Sequence, residues 1–202
     1  MGSLGEDLLL LAIDPGNGVL RCRGHIPHGL MGAELVALAE GGWIEVADGR
    51  LTVIQAAGLT TGDQDLDVAL GGIAAARRQQ RVRVWVSRPR RNITNSYLAR
   101  LSADGSIQRK GSALRRRWPV IDGSRAAAVR ARLDAVALGS GQADTDQAAL
   151  PGLAEAIGLG RGLYPGSDNR QVRKRLREIA KTHWAADAVR RAVAAADAAA
   201  SG

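Results

Sequence analysis

The sequence of 202 residues has no Phe, a single Cys and an aromatic content of only 3%. One cysteine, Cys22, excludes an intramolecular disulfide framework and is typical of a protein in a reducing compartment. No apolar run reaches the roughly 18 residues that a membrane-spanning helix needs. The apolar stretch 8–13 is too short for a signal-peptide core and follows acidic residues. We therefore expect a protein that is cytoplasmic or peripheral to a membrane.

Motifs of common catalytic sites are also missing. The sequence has no G-x-S-x-G, no phosphate-binding P-loop, no G-x-G-x-x-G after a strand and no H-E-x-x-H. Cys22, His25 and His28 have zinc-ligand chemistry at three-residue spacing, but no second cysteine or nearby histidine supplies a fourth ligand. The sequence thus favours a protein that is not an enzyme and holds neither a metal nor another cofactor.

Positive charge is abundant and almost all of it comes from arginine. The chain has 28 basic and 20 acidic residues, a formal net charge of +8, and Lys only at positions 110, 174 and 181. Such a surface attracts nucleic acid or an anionic membrane, and charge alone does not choose between them. A third interpretation is that the arginine excess only reflects an Ala- and Arg-rich composition.

Helical periodicity dominates the chain. Apolar spacing, capping residues and breakers predict helices at 5–13, 30–39, from an N-cap at Thr61 or Asp63 past Ile73, 92–103, from Asp122 or Ser124 to 138, 145–158, 168–181 and 184–200. Hairpins are predicted at 43–54, around Asp48-Gly49, and at 106–120. The absence of an alternating strand–helix pattern excludes a doubly wound sheet. The sequence therefore predicts a mainly α protein with one or two small β-hairpins.

The second predicted hairpin is a candidate membrane contact. Basic side chains near an anionic bilayer contribute roughly 1 kcal/mol each, and Trp prefers the headgroup region. A winged-helix DNA binder, with helix 92–103 and this hairpin as its wing, has the same outline. A solvated ribbon with Trp118 packed inward is equally compatible with the pattern. The candidate residues are Arg109, Lys110, Leu114, Arg115, Arg116, Arg117 and Trp118.

The order of several segments resembles the Golgi phosphoprotein 3 family, in its bacterial branch. These segments are EDLLLLAID, HGLMGAELVALAEGGWIEV, TTGDQDLDVAL, YLARLSADGSIQ and RQVRKRLREIA, and the resemblance covers residues 4–198. It implies one compact domain over residues 4–200, built around a central helical bundle with a protruding hairpin. It also implies a peripheral adaptor, not an enzyme, that binds phosphatidylinositol 4-phosphate and protein tails. In such a protein the hairpin serves membrane insertion or self-association into a homo-oligomer.

The family's headgroup pocket uses a Trp, an Arg at the start of the second helix, and two basic residues before the hairpin. Aligned on the GL-x-G element, the Trp position falls at Cys22 and the first Arg position at Met31. Aligned back from the DG turn, the two basic positions fall at Arg91 and Thr94. Only Arg91 keeps the chemistry that the resemblance implies.

The leading hypothesis is therefore a peripheral membrane protein that binds anionic phospholipid headgroups. Its predicted ligands are Arg91 with its neighbours Arg88 and Arg90, aided by Arg21 and Arg23, which a one-residue shift of register brings into the pocket. The predicted headgroup site also includes Met31, at the position of the family's first pocket Arg. The alternatives are a nucleic-acid-binding module that uses helix 92–103 and the basic hairpin, and a soluble interaction scaffold.

Overall fold

A computed structural model describes residues 2–54, 60–112, 115–139 and 144–202. Within these ranges the chain forms ten helices and one two-stranded hairpin, which confirms the predicted mainly α fold. The helices are α1 (Leu4–Ala12), α2 (Ile26–Glu40), α3 (Gln64–Ala74), α4 (Val82–Val86), α5 (Ile93–Ala103), α6 (Gly123–Leu138), α7 (Thr145–Ala156), α8 (Gly160–Leu163), α9 (Arg170–Thr182) and α10 (Trp184–Ser201). Strands β1 (Ile44–Ala47) and β2 (Arg50–Val53) pair antiparallel.

Helix α2 lies at the centre of the structure. It packs against α1, α7 and α10, and also against α3, α4, α5 and β1. Nearly all of its residues are buried, including polar Glu34, as expected for a helix that is covered on every side. Gly32 lets its neighbours approach closely: a Cβ there would lie 2.7 Å from Val189 Cγ2 in α10 and 2.9 Å from Leu153 Cδ2 in α7.

Local sequence signals define several element boundaries. The Asp63 carboxylate caps α3 by accepting from the backbone N–H groups of Asp65 and Leu66, at 2.9 and 3.3 Å. Asp122 caps α6 in the same way. In the first hairpin, the turn residues Asp48 and Gly49 have φ of 51° and 68°, as a type I′ turn requires. These predicted caps and this predicted hairpin are confirmed.

Three helices depart from the expectation, and one of them is the single turn α8, where the pattern predicted no helix. Helix α2 begins at Ile26 and not at Leu30, because Pro27 lies in its first turn, where the missing N–H costs nothing. The pattern predicted no helix at α4, which ends at Val86 before the helix-breaking Pro89.

The second predicted hairpin is looser than expected. Antiparallel bridges join Ile107 to Val120 and Lys110 to Arg117, but no continuous strands form among the described residues of 106–120. Residues 113–114, including Leu114 of the candidate membrane contact, lie outside the described residues. We refer to 106–120 as the basic loop.

The tight packing around Gly32 makes the central helix sensitive to added volume. We expect Gly32→Leu to lower the free energy of unfolding by about 2–3 kcal/mol, because the new side chain must displace α7 or α10. Gly71→Ala in α3 is the matched control, since nothing lies within 4 Å of its Cβ. It should raise the free energy of unfolding by about 0.5–1 kcal/mol through helix propensity. Urea denaturation measures both changes, and equal effects of the two substitutions would contradict the packing role.

Candidate anion-binding surface

The three candidate zinc ligands point to different partners. The His25 ring contacts Asp197 Oδ1 at 2.8 Å through Nε2, whereas His28 Nδ1 lies 2.7 Å from the backbone carbonyl oxygen of Val86. Across the described part of the chain, no group of three or more His, Cys, Asp or Glu side chains is arranged to hold a metal. These residues serve packing and helix contacts.

Arg90, one of the predicted headgroup ligands, is committed to an internal ion pair. Its Nη1 and Nη2 donate to the two carboxylate oxygens of Glu34, each at 2.7 Å. The Glu34 side chain is fully buried, and the Arg90 side chain is only 19% exposed. This fork-to-fork pair neutralises a carboxylate inside the central helix. A headgroup would have to break the pair, so the assignment of Arg90 as a ligand is corrected.

The Glu34–Arg90 pair continues into a chain of acid–arginine contacts. Arg100 bridges Glu6 of α1 at 3.0 Å, Asp63 at 2.7 Å and Asp65 of α3 at 3.3 Å. Arg125 of α6 also binds Glu6, at 2.7 Å. The sequence showed these acidic residues only as helix caps and first-turn residues. Their second role is to bind arginines from helices distant in sequence.

Burial dominates the electrostatics of Glu34. It raises the pKa of the Glu34 carboxyl from 4.5 to about 7, although the Arg90 guanidinium opposes this rise. The Tyr97 hydroxyl donates to Glu34 Oε1 at 3.3 Å, and burial also raises the pKa of that phenol. The Glu34 carboxyl therefore exchanges its proton close to the physiological pH range.

Removal of Arg90 tests the internal ion pair. We expect Arg90→Ala to lower the free energy of unfolding by about 3–5 kcal/mol, because it leaves the Glu34 carboxylate buried without its partner. Arg88→Ala, an exposed neighbour, should change it by less than about 0.5 kcal/mol. The double substitution Glu34→Leu with Arg90→Met should be less destabilising than Arg90→Ala alone. Equal stabilities of the Arg88 and Arg90 variants in urea would refute the assignment.

The raised pKa of Glu34 predicts how stability depends on pH. Between pH 4.5 and 7 the unfolded chain releases the Glu34 proton while the folded chain retains it. The free energy of unfolding should therefore fall as pH rises through this window. Comparison with Glu34→Gln, which cannot titrate, isolates this contribution. Wild-type and variant curves that stay parallel from pH 4 to 8 would show that the carboxyl is not perturbed.

Two further candidates do not face solvent as a ligand would require. Met31 is only 1% exposed and belongs to the core, so its assignment to the headgroup site is corrected. Arg21 is half-buried and pairs with Asp14 at 2.5 Å. Arg23 is exposed and forms no ion pair with any described residue.

Arg88 and Arg91 lie on either side of the buried pair and are both exposed. Neither side chain forms an ion pair within the described residues. Just inside α5, Thr94 Oγ1 is buried and lacks a hydrogen-bond partner there. The segment that buries Arg90 therefore presents two free guanidinium groups at the start of α5.

A cleft of about 580 Å³ lies between α5 and the basic loop. Asn95, Ala99 and Ser102 form one side of it at helical spacing, and Arg109 and Arg116 lie across from them. Arg116 Nε is buried in the described structure without a hydrogen-bond partner. The polar helix residues were not among the predicted site residues, although they occupy the side of the helix that its apolar positions leave free.

Trp118 closes the base of this cleft and does not face outward. It is 7% exposed, and its backbone N–H donates to the Gly18 carbonyl oxygen at 2.6 Å. The inward-packed alternative is therefore correct, and Trp118 is removed from the candidate membrane contact. Lys110 and Arg117 pair through two backbone hydrogen bonds of 2.9 Å, which hold the two arms of the loop together, and the side chains of Arg109, Lys110 and Arg115 are exposed.

The described chain is thus a mainly α protein with one group of unpaired arginines near α5 and the basic loop. No helix within the described ranges is long and apolar enough to cross a membrane. The chain belongs to the Golgi phosphoprotein 3 family, because the family model described as Golgi phosphoprotein 3 (GPP34) matches residues 4–196. The resemblance seen in the sequence is therefore confirmed over nearly the whole chain. No curated protein matches the chain.

Proposed function

We propose that this protein attaches peripherally to membranes by binding anionic phospholipid headgroups. The proposed site comprises Arg88 and Arg91 at the start of α5, and Arg109 and Arg116 in the adjoining cleft. The observation that carries the proposal is that these arginines form no ion pair with any described carboxylate, while Arg90 between them is neutralised. Membership in the Golgi phosphoprotein 3 family supports the same function.

Simple magnitudes indicate how such a surface would work. Four basic residues at about 1 kcal/mol each give about 4 kcal/mol, which corresponds to millimolar affinity. Lys110 and Arg115 bring the total to about 6 kcal/mol, or tens of micromolar. Binding should therefore be reversible and sensitive to salt. Phosphatidylinositol 4-phosphate, with two phosphates on each headgroup, should be favoured over lipids with a single negative charge.

The position of the basic loop favours a membrane over duplex DNA. One side of α5 is buried through Ile93, Tyr97 and Leu101, and the basic loop lies across a cleft from the exposed side that carries Asn95 and Ser102, where it restricts the approach of a duplex. A recognition helix needs an open face to enter the major groove. Attachment to a lipid surface needs only exposed charge. Such attachment requires no catalytic group or cofactor. An adaptor of this kind would bring a protein partner, or a second copy of the chain, from the cytoplasm to the membrane.

Co-sedimentation with vesicles at near-physiological salt tests the proposal. The vesicles contain phosphatidylcholine alone, or with phosphatidylglycerol, phosphatidylinositol or phosphatidylinositol 4-phosphate. We expect the combined substitutions Arg88→Gln, Arg91→Gln and Arg109→Gln to weaken binding to the anionic vesicles at least about tenfold, because three contacts of about 1 kcal/mol are lost.

A control variant with the same loss of charge separates a site from net charge. Arg161→Gln, Arg170→Gln and Lys174→Gln alter exposed residues of α8 and α9. This variant should bind vesicles within about twofold of wild type. Equal losses in the two triple variants would exclude the α5 surface as the site. Displacement of the protein from vesicles by duplex DNA at equal phosphate concentration would favour nucleic acid, and a failure to sediment with any vesicle would favour a soluble scaffold.

A further inference from the structure

A second group of arginines lies on the first hairpin and the segment before α4. Arg50, Arg77, Arg78 and Arg81 are all exposed and line one depression of about 450 Å³. The remaining lining residues are Ala76, Gln79, Gln80 and Val84. No carboxylate takes part in the lining, so four positive charges share this surface without internal compensation.

Backbone pairing holds two of these arginines face to face. Arg50 and Arg81 form an antiparallel bridge, and backbone hydrogen bonds of 2.8 and 2.9 Å lie on either side of it. This arrangement is the non-hydrogen-bonded type of antiparallel pair, in which opposite side chains start closest together. Gln79 Nε2 also donates to Thr52 Oγ1 at 2.5 Å, which fixes the segment against β2. The proximity of the two arginines is therefore set by the backbone.

Like charges directly opposite each other on paired strands are unfavourable. None of the four arginines forms an ion pair with a carboxylate of the described residues. The acidic residues of the same hairpin, Glu45 and Asp48, line a neighbouring depression that Arg81 also borders, but neither carboxylate forms an ion pair with Arg81. Arg50 and Arg81 repel each other in the free protein. A bound anion would offset this repulsion.

The lining residues indicate the chemistry of that anion. Guanidinium groups bind phosphate oxygens through paired hydrogen bonds, and four of them suit more than one phosphate. Apart from Val84, the lining contains no aromatic or large apolar side chain on which a nucleotide base could stack. We propose that Arg50, Arg77, Arg78 and Arg81 form a binding site for a ligand that carries two or more neighbouring phosphate groups.

This site is separate from the membrane surface proposed above. Arg81 directly precedes α4, whereas Arg88 follows it, and none of the four arginines lines the cleft beside α5. Soluble pyrophosphate and a multiply phosphorylated lipid headgroup present the same chemistry. The experiment must therefore distinguish these two sources.

Isothermal titration of the full chain with sodium pyrophosphate tests the site. We expect saturable binding, and at least a tenfold loss of affinity in the double variant Arg50→Gln with Arg81→Gln, because charged hydrogen bonds to phosphate are lost. The midpoint of thermal unfolding of this variant should stay the same or rise, since the substitutions relieve like-charge repulsion. Arg170→Gln with Lys174→Gln removes the same charge elsewhere and should leave the affinity unchanged.

The second part of the experiment measures binding of the same variants to vesicles that contain phosphatidylinositol 4-phosphate. Loss of vesicle binding in the Arg50 and Arg81 double variant would identify a lipid headgroup as the source of the phosphates. Unchanged vesicle binding with lost pyrophosphate binding would identify a soluble ligand. The triple variant in Arg88, Arg91 and Arg109 should still bind pyrophosphate, which keeps this test independent of the proposed membrane function. The proposal is overturned if wild type binds no pyrophosphate, if the double variant binds it as tightly as wild type, or if the control loses as much affinity.

Discussion

The ion pair between Glu34 and Arg90 is the constraint on which the surrounding architecture depends. Glu34 lies in the central helix α2, and its side chain is fully buried, so its carboxylate cannot reach water. An isolated charge in that position would cost several kcal/mol. While the carboxyl is ionised, a partner delivered by another segment offsets this cost, and the segment between α4 and α5 supplies it. The chain from 87 to 92 thus carries Arg90 to the buried carboxylate of α2.

That requirement also determines which arginines remain free. With Arg90 turned inward, its neighbours Arg88 and Arg91 are left at the surface. Farther along the chain, Arg100 and Arg125 form ion pairs with Glu6 and nearby carboxylates. The net charge of +8 is therefore a poor guide to the charge that the surface offers to a binding partner. What matters for an anionic partner is the smaller set of guanidinium groups that the interior does not use.

Features governed by local chemistry could be predicted from the sequence. Asp63 and Asp122 cap helices because a carboxylate beside free N–H groups is favourable wherever it occurs, and Asp48-Gly49 turns because both residues tolerate positive φ. The partner of Arg90 could not be predicted, because Glu34 lies 56 positions away in the sequence. The residues around Glu34 indicate only that it belongs to a helix. The orientation of Trp118 could not be predicted for the same reason, because the neighbouring residues of a basic ribbon are the same whether its Trp packs inward or outward.

The buried methionine at position 31 has a consequence for recognition. The resemblance to the family places a basic pocket residue there, and the structure places a core side chain that is 1% exposed. A pocket that closes around a single headgroup needs convergent donors at fixed positions, and the start of α2 provides none from Met31. Arginines that remain exposed on loops and at helix starts can instead contact several anionic headgroups at once. Under the proposed membrane function, affinity would then grow with the density of charge on the membrane and fall with salt. In that case the charge density of the bilayer, more than the identity of one lipid, is the property that the proposed surface would detect.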